Sequence, residues 1–384
     1  MNIYEKALKA HGKWQGKIST ELKMPLDTKE DLSLAYTPGV AEACREIAKD
    51  EKAMDVLTWK KNTVAVITDG SAVLGLGNIG AKAAMPVMEG KCALFKRFAD
   101  INAVPLLLDT QDPDEIVNII KNIAPTFGGI NLEDISSPRC VAIEEALIDA
   151  LDIPVFHDDQ HGTAIVVIAA LINALKIVHK KAEEITITLS GAGAAGYAIA
   201  RMLNQLGVYN IYAFHRPGIL SKNEESKYDD VKKEIARITN HGEEILTMEE
   251  AMAKSDVFIG VSGPNLIDQN MVRSMKKDPI IFAMANPDPE ISYEKAKEAG
   301  ARVVGTGRSD YPNQINNVLA FPGLFKGALR SGAKKITETM KMAAAKALAD
   351  LVDDEELEQG IVIPSVFNFE VAEQVAKKVE AEVK

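Results

Sequence analysis

Cysteine is scarce in this chain. Three thiols, Cys44, Cys92 and Cys140, are spread over 384 residues. The count is odd and no CxxC pair occurs, which argues against a disulfide scaffold or a zinc site and fits a reducing cytoplasm. Positive charge is also in deficit. Lys and Arg number 44 against 55 Asp and Glu, a net charge of −11. No basic stripe offsets this, so no nucleic-acid partner is expected. Long hydrophobic runs are missing as well. The longest, 164–175, is interrupted by Asn173. It is too short to cross a bilayer and predicts a buried helix, with no membrane partner. Residues 1–23 are polar and lysine-bearing and lack the apolar stretch of a signal peptide.

What is present is a repeating α/β rhythm. At 384 residues and 47% hydrophobic content, the chain can fill two cores. From Thr63 onward, short β-branched runs alternate with helical patterns, which predicts parallel βαβ units. Strands are expected at 63–68, 103–108, 126–131 and 153–156, and again at 185–189, 210–214, 256–261, 279–283 and 301–304. Helices are expected at 79–98, 113–122, 138–150 and 162–180. The pattern restarts after Phe156. The expected division is therefore an N-terminal α/β domain, 1–156, and a Rossmann-type doubly wound parallel sheet with C-terminal helices, 157–384. The charged stretch 221–244 reads as a surface helix, and 367–384 as an exposed amphipathic helix.

Two acidic pairs stand at strand ends. One is Asp158-Asp159 within Phe156-His157-Asp158-Asp159-Gln160-His161-Gly162-Thr163; the other is Glu133-Asp134. Adjacent carboxylates repel, so each pair needs a cation, and a hard divalent metal or a lysine is the usual answer. Together they could form an oxygen cage for Mg²⁺ or Mn²⁺. His157 and His161 are expected to be structural, because carboxylates already suit a hard ion.

GxGxxG occurs twice. Gly75-Leu76-Gly77-Asn78-Ile79-Gly80 is preceded by Asp69-Gly70-Ser71, which breaks the strand, so it predicts a loop close to substrate or cofactor. Gly191-Ala192-Gly193-Ala194-Ala195-Gly196 follows a clean strand and opens a helix. That is a complete dinucleotide-binding unit. Phosphates would sit on the helix N-terminus beside Gly193, Ala194 and Ala195. The next strand ends in His215-Arg216-Pro217-Gly218, with no carboxylate at that point. An imidazole and a guanidinium suit a 2′-phosphate, so NADP is expected over NAD.

Taken as a set, several motifs resemble the malic enzyme family in its short prokaryotic form. They are Tyr36-Thr37-Pro38-Gly39-Val40, Thr68-Asp69-Gly70 with the first glycine motif, Glu133-Asp134, His157 to Thr163, the Rossmann glycines, Asn286-Pro287 and Asn316-Asn317. The resemblance implies oxidative decarboxylation of (S)-malate to pyruvate and CO₂ with NADP⁺ or NAD⁺ and Mg²⁺ or Mn²⁺, and decarboxylation of oxaloacetate. It implies Glu133, Asp134 and Asp159 as metal ligands, Lys91 as general base with a lowered pKa, Asp158 as its partner and Tyr36 as general acid. Asn286 and Asn317 would hold substrate near the nicotinamide, and backbone of Gly75 and Gly77 could help. A cytoplasmic homodimer is expected, with the segment before Tyr36 able to exchange between protomers. One departure stands out. Larger relatives carry a carboxylate-binding arginine two residues beyond the Asp-Gly, where this chain has Ala72. Taken singly, Lys91 reads as a helix-surface lysine and Tyr36 as a packed aromatic. Rival readings are a metal-independent dehydrogenase of another 2-hydroxy or amino acid and a non-catalytic dinucleotide sensor.

Overall fold

Two parallel sheets form where β-branched runs alternate with helical stretches. The structure is a computed structural model describing residues 2–73 and 75–383. The first sheet contains β1 (Thr63–Thr68), β2 (Asn102–Leu107), β3 (Gly129–Leu132) and β4 (Val155–His157), in the order β2-β1-β3-β4. β1 is buried along its whole length, as a Val/Ile/Thr run covered on both faces should be. The second sheet contains β5 (Thr186–Ser190), β6 (Asn210–His215), β7 (Gly218–Ile219), β8 (Val257–Gly260), β9 (Ile280–Ala283) and β10 (Val303–Thr306). Its order is β10-β9-β8-β5-β6-β7, and only the short β7 runs antiparallel. The chain leaves β5 for β6 on one side and later fills β8 on the other. That reversal opens a crevice at the carboxyl ends of the strands.

Several elements differ from expectation, each for a local reason. β3 begins three residues later than expected because Ala124–Thr126 turns as a 3₁₀ helix around Pro125, which has no N–H for a ladder. The helix after β4 begins at Asp158, not Gly162. Asp158 and Asp159 are its first turn, where the free N–H groups and the helix dipole favour negative charge. Within this helix, Asp158–Val178, an 18-residue stretch has a mean hydropathy of 1.9, and 78% of that stretch is buried inside the protein. It packs against the Ala194–Leu206 and Glu338–Ala349 helices. Residues 221–244 do not form one surface helix. They form a 3₁₀ turn, Lys222–Lys227, then the helix Asp230–Ile238, which buries Val231, Ile235 and Ala236. Nor is the C-terminal helix exposed. Val371–Ala381 lies on the Phe321–Ser331 helix and buries Val371, Val375 and Val379. Gly323 and Gly327 permit this, since a Cβ on either would approach Ala372, Val375, Ala376 or Val379 atoms to within 2.6–2.9 Å.

One apolar core, from Val64 and Phe156 of the first sheet to Ile187 and Phe282 of the second, ties the sheets together, and an aromatic cluster sits at its first-sheet end. Phe95 packs against Phe321 at 4.7 Å and Phe325 at 5.3 Å between ring centres, and Phe325 meets Phe156 at 5.8 Å. The N-terminal segment is different. The helices Ile3–Trp14, Lys29–Ala35 and Val40–Lys49 bury no residue, and Trp14, Leu22, Leu34 and Val56 face outward.

Candidate active site

The candidate residues leave the carboxyl ends of the first sheet. Asp69 follows β1, Glu133 and Asp134 follow β3, and Asp158 and Asp159 follow β4. Glu133 is fixed by its own N–H, which donates to the Ile67 carbonyl at 2.9 Å. Asn131 donates to its Oε2 at 2.9 Å. Asp134 has φ 53°, a left-handed conformation that aspartate tolerates. The Asp134 N–H donates to Asp159 Oδ2 at 2.8 Å. One carboxylate oxygen from each of Glu133, Asp134 and Asp159 lies within 4.8 Å of the others. Burial, with Asp159, Asp158 and Asp134 nearby, pushes Glu133 well above the usual carboxylate range, although Lys91 opposes the shift. Three clustered hard-oxygen donors, two of them buried, fit a divalent ion such as Mg²⁺ or Mn²⁺.

Lys91 enters from the Ala81–Ala99 helix. It is not a surface lysine. Ala84, Met88, Lys91, Cys92 and Phe95 share the buried face at helical spacing, and Lys91 is 7% exposed. Its Nζ lies 2.5 Å from Asp158 Oδ2, 2.9 Å from Glu133 Oε1 and 4.2 Å above the Phe321 ring. Asn317 also donates to Asp158 Oδ2. Burial alone would lower the lysine, but Asp158 and Glu133 overcome it and hold the amine well above its ordinary value. The expectation of a lowered pKa is therefore reversed for the protein's own charges, because two carboxylates lie within hydrogen-bonding distance. Burial pushes the Cys92 and Cys140 thiols up to about 12, which disfavours their thiolate forms.

Gly162 leaves room for this pair. A Cβ there would stand 1.9 Å from Asp158 Oδ1. Gly162→Ala is expected to displace that carboxylate and lower turnover by about 10²-fold, the usual effect of a 1 Å misplacement. Paired kcat and melting measurements check this, and an unchanged kcat would show that the contact is absorbed elsewhere.

The second sheet supplies a cleft of about 1380 Å³, lined by Gly191, Gly193, His215 and Arg216 and reaching Ser137 beside the acidic loop. Gly191 has φ 113°, and a Cβ on Gly196 would fall 1.8 Å from the Gly191 carbonyl. Gly193, by contrast, faces open space. The helix Ala194–Leu206 carries no side-chain cap, so its first N–H groups are free for a pyrophosphate. Gly75 and Asn286 are brought together, since a Cβ on Gly75 would lie 2.7 Å from the Asn286 carbonyl. A Cβ on Gly77 would meet nothing within 4 Å among the described residues, and its carbonyl accepts the Val73 N–H at 3.0 Å.

Tyr36 is the residue the fold does not deliver. It is 68% exposed, so it is not the packed aromatic it reads as alone. Its side chain makes no hydrogen bond with Lys91 or Asp158. Other residues were missed by sequence reading. Arg139 pairs with the buried Asp69 at 2.7 Å, and Ser71 Oγ donates to the same carboxylate. Lys232, Glu224 and Glu243 also line the cofactor cleft. Charge-bearing positions on surface-like helices gave no signal of this.

The fold and these features define an NAD(P)-dependent decarboxylating oxidoreductase. The model of the malic enzyme N-terminal domain matches residues 15–148, and that of the malic enzyme NAD-binding domain matches 160–384. The NAD-dependent malic enzyme of Geobacillus stearothermophilus is 55% identical over 95% of this chain and 76% of its own length. The bifunctional malic/malolactic enzyme of Bacillus subtilis is 52% identical over 99% of this chain and 92% of its own. The crystal structure of the NAD-dependent malic enzyme of Thermotoga maritima superposes with a TM-score of 0.94 at 48% identity, covering 97% of this chain and 98% of that one. The chain belongs to the malic enzyme family.

Proposed function

We propose that the protein oxidises (S)-malate to pyruvate and CO₂, with NADP⁺ preferred to NAD⁺ and with Mg²⁺ or Mn²⁺ required. One observation carries this reading. Glu133 is at once a member of the carboxylate cluster and a partner of Lys91, so a base and a metal site share one group. Residues 1–156 and 157–384 are taken as its malate-binding and dinucleotide-binding units.

Glu133, Asp134 and Asp159 would hold the ion, which supplies Lewis acidity to the C2 oxygen and to the electrons freed by decarboxylation. The cleft beside Gly191 and Gly193 would hold a dinucleotide, whose nicotinamide would supply the hydride acceptor. Lys91 takes the hydroxyl proton from C2, with Asp158 and Asn317 fixing the direction of its amine. Sharing Glu133 with a divalent cation weakens the carboxylate hold on Lys91, and this is how a raised pKa comes within reach of a base's task. Loss of the C4 carboxylate as CO₂ leaves an electron pair at C3, and Tyr36 protonates that carbon. Oxaloacetate supplied directly enters at the second step, so its decarboxylation follows from the same groups.

Among the described residues Arg216 makes no ion pair, and it lines the cleft with Lys232, which supports a 2′-phosphate. A second reading, NAD, is favoured by Glu243. Its Oε1 is buried in the same cleft without a hydrogen-bond partner and would accept from a ribose hydroxyl. Three free cysteines support a cytoplasmic location. Tyr36 lies on an N-terminal segment in which no described residue is fully buried. A homodimer that exchanges this segment would place Tyr36 in the partner's site.

Purified protein given malate and Mn²⁺ with either cofactor is expected to form pyruvate, to lose turnover in EDTA and to show the higher kcat/KM with NADP⁺. Turnover that survives EDTA, or no pyruvate with either cofactor, would refute the assignment. A higher value with NAD⁺ would select the second reading.

A further inference from the structure

Behind the site lies a buried polar chain that neither proton transfer nor metal binding uses. Glu144, on the Arg139–Ala150 helix, is buried. Its Oε1 accepts the His157 N–H at 2.7 Å, and its Oε2 accepts from Gln160 at 3.2 Å. The same Oε2 meets His161 Nε2 at 2.9 Å. His161 Nδ1 faces Lys341 Nζ at 3.2 Å. Lys341, on the Glu338–Ala349 helix, is 4% exposed. Its amine also meets Glu338 Oε1 at 2.5 Å. Glu338 in turn accepts from Gln205 at 3.1 Å and lies 3.5 Å from Arg201. Gln205 and Arg201 both lie on the helix that opens at the Rossmann glycines.

The chemistry of the chain has one consistent arrangement. An ammonium can only donate, so His161 Nδ1 must accept. The ring is then neutral, with its proton on Nε2, and that proton goes to Glu144. Burial alone would raise Glu144, but His161, His157 and Lys341 hold it below its usual range. Glu144 thereby stays ionised and ties the first turn of the Asp158–Val178 helix to the helix that follows the Glu133–Asp134 loop. That turn carries Asp158 and Asp159.

We propose that Lys341 is a positioning residue: through His161 and Glu144 it fixes the helix start that presents Asp158 to Lys91 and Asp159 to the metal. The inference rests on the metal reading above only for its binding readout. Without Lys341, the imidazole can flip its proton to Nδ1, and Glu144 then faces a lone pair. Outer residues of this kind change metal affinity by about 10–100-fold when removed.

The test uses the full chain with Lys341→Met, Lys341→Gln and Lys341→Arg. Free Mn²⁺ counted by electron paramagnetic resonance is expected to report a dissociation constant about 10–100-fold weaker for Lys341→Met, an intermediate value for Lys341→Gln, and one within about threefold of wild type for Lys341→Arg. In EDTA, the ring nitrogens of ¹⁵N-histidine protein, with His161→Gln used to assign the signal, should show His161 as the Nε2–H tautomer in wild type and as a mixture in Lys341→Met. A wild-type His161 carrying its proton on Nδ1 would overturn the proposal whether or not the variants fold. So would wild-type Mn²⁺ affinity in Lys341→Met. Failure of the wild type itself to bind Mn²⁺ would instead sink the metal reading and leave the tautomer result to decide this one.

Discussion

Lys91→Ala is expected to lower kcat for malate oxidation by about 10²–10⁴-fold, the usual range for a general base. It should also destabilise the fold. Lys91 is the buried cation between Asp158 and Glu133, and both carboxylates are themselves buried. Removing one partner of a buried pair leaves an uncompensated charge, typically about 3–5 kcal/mol. The two losses have separate origins and can be parted. Adding Asp158→Asn to Lys91→Ala removes one of the stranded charges while keeping the side chain's shape. Stability should largely return, and activity should not. Denaturant melts are taken in EDTA, so that no bound ion substitutes for the ammonium. A Lys91→Ala protein with kcat within threefold of wild type would remove Lys91 from the mechanism. A double variant no more stable than the single one would show that the loss is packing against Phe321, not charge.

The fold was legible where one physical rule acts alone. Continuous β-branched runs fix β1 and β5, and Gly191, Gly193 and Gly196 make a strand-turn-helix unit because an unbroken strand runs straight into them, which the same spacing at Gly75, Gly77 and Gly80 lacks. Sequence reading failed where tertiary packing decides. Nothing in Val371–Ala381 announces that its apolar face will be covered; that depends on Gly323 and Gly327, some fifty residues earlier. The acidic residues were legible because like charges in sequence demand a cation. The environment of Lys91 was not. Its burial follows from which face of an ordinary helix meets the core, and its raised pKa from carboxylates 42 and 67 residues away. His161 was expected to be structural, but its partners Lys341 and Glu144 were invisible for the same reason. They are spread over 198 positions, from 144 to 341 counted inclusively, and only the fold joins them.

Mixing two inactive variants is expected to restore activity. Tyr36→Phe removes the proposed C3 acid, and Lys91→Ala removes the base; each alone should lose about 10²-fold or more. If the outward-facing N-terminal segment crosses to a partner, each site takes Tyr36 from one chain and Lys91 from the other. A mixed dimer then has one site with both groups intact and one with neither. Random reassortment makes half of all dimers mixed, so about a quarter of wild-type sites should reappear. If the segment stays with its own chain, every site in a mixed dimer still lacks one group and nothing is regained. The outward-facing side chains argue for exchange. Trp14, Leu22, Leu34 and Val56 are each exposed, apolar side chains that a partner surface would cover. Covering it with a second copy offsets the ordering of the arm, and closed two-fold pairing makes the cover reciprocal. Activity read after brief unfolding and joint refolding of the two variants, against each variant refolded alone, decides the matter. Recovery near a quarter fixes the tyrosine in the partner's site; no recovery, with mixed dimers confirmed by mass, would return Tyr36 to its own chain or remove it from the reaction.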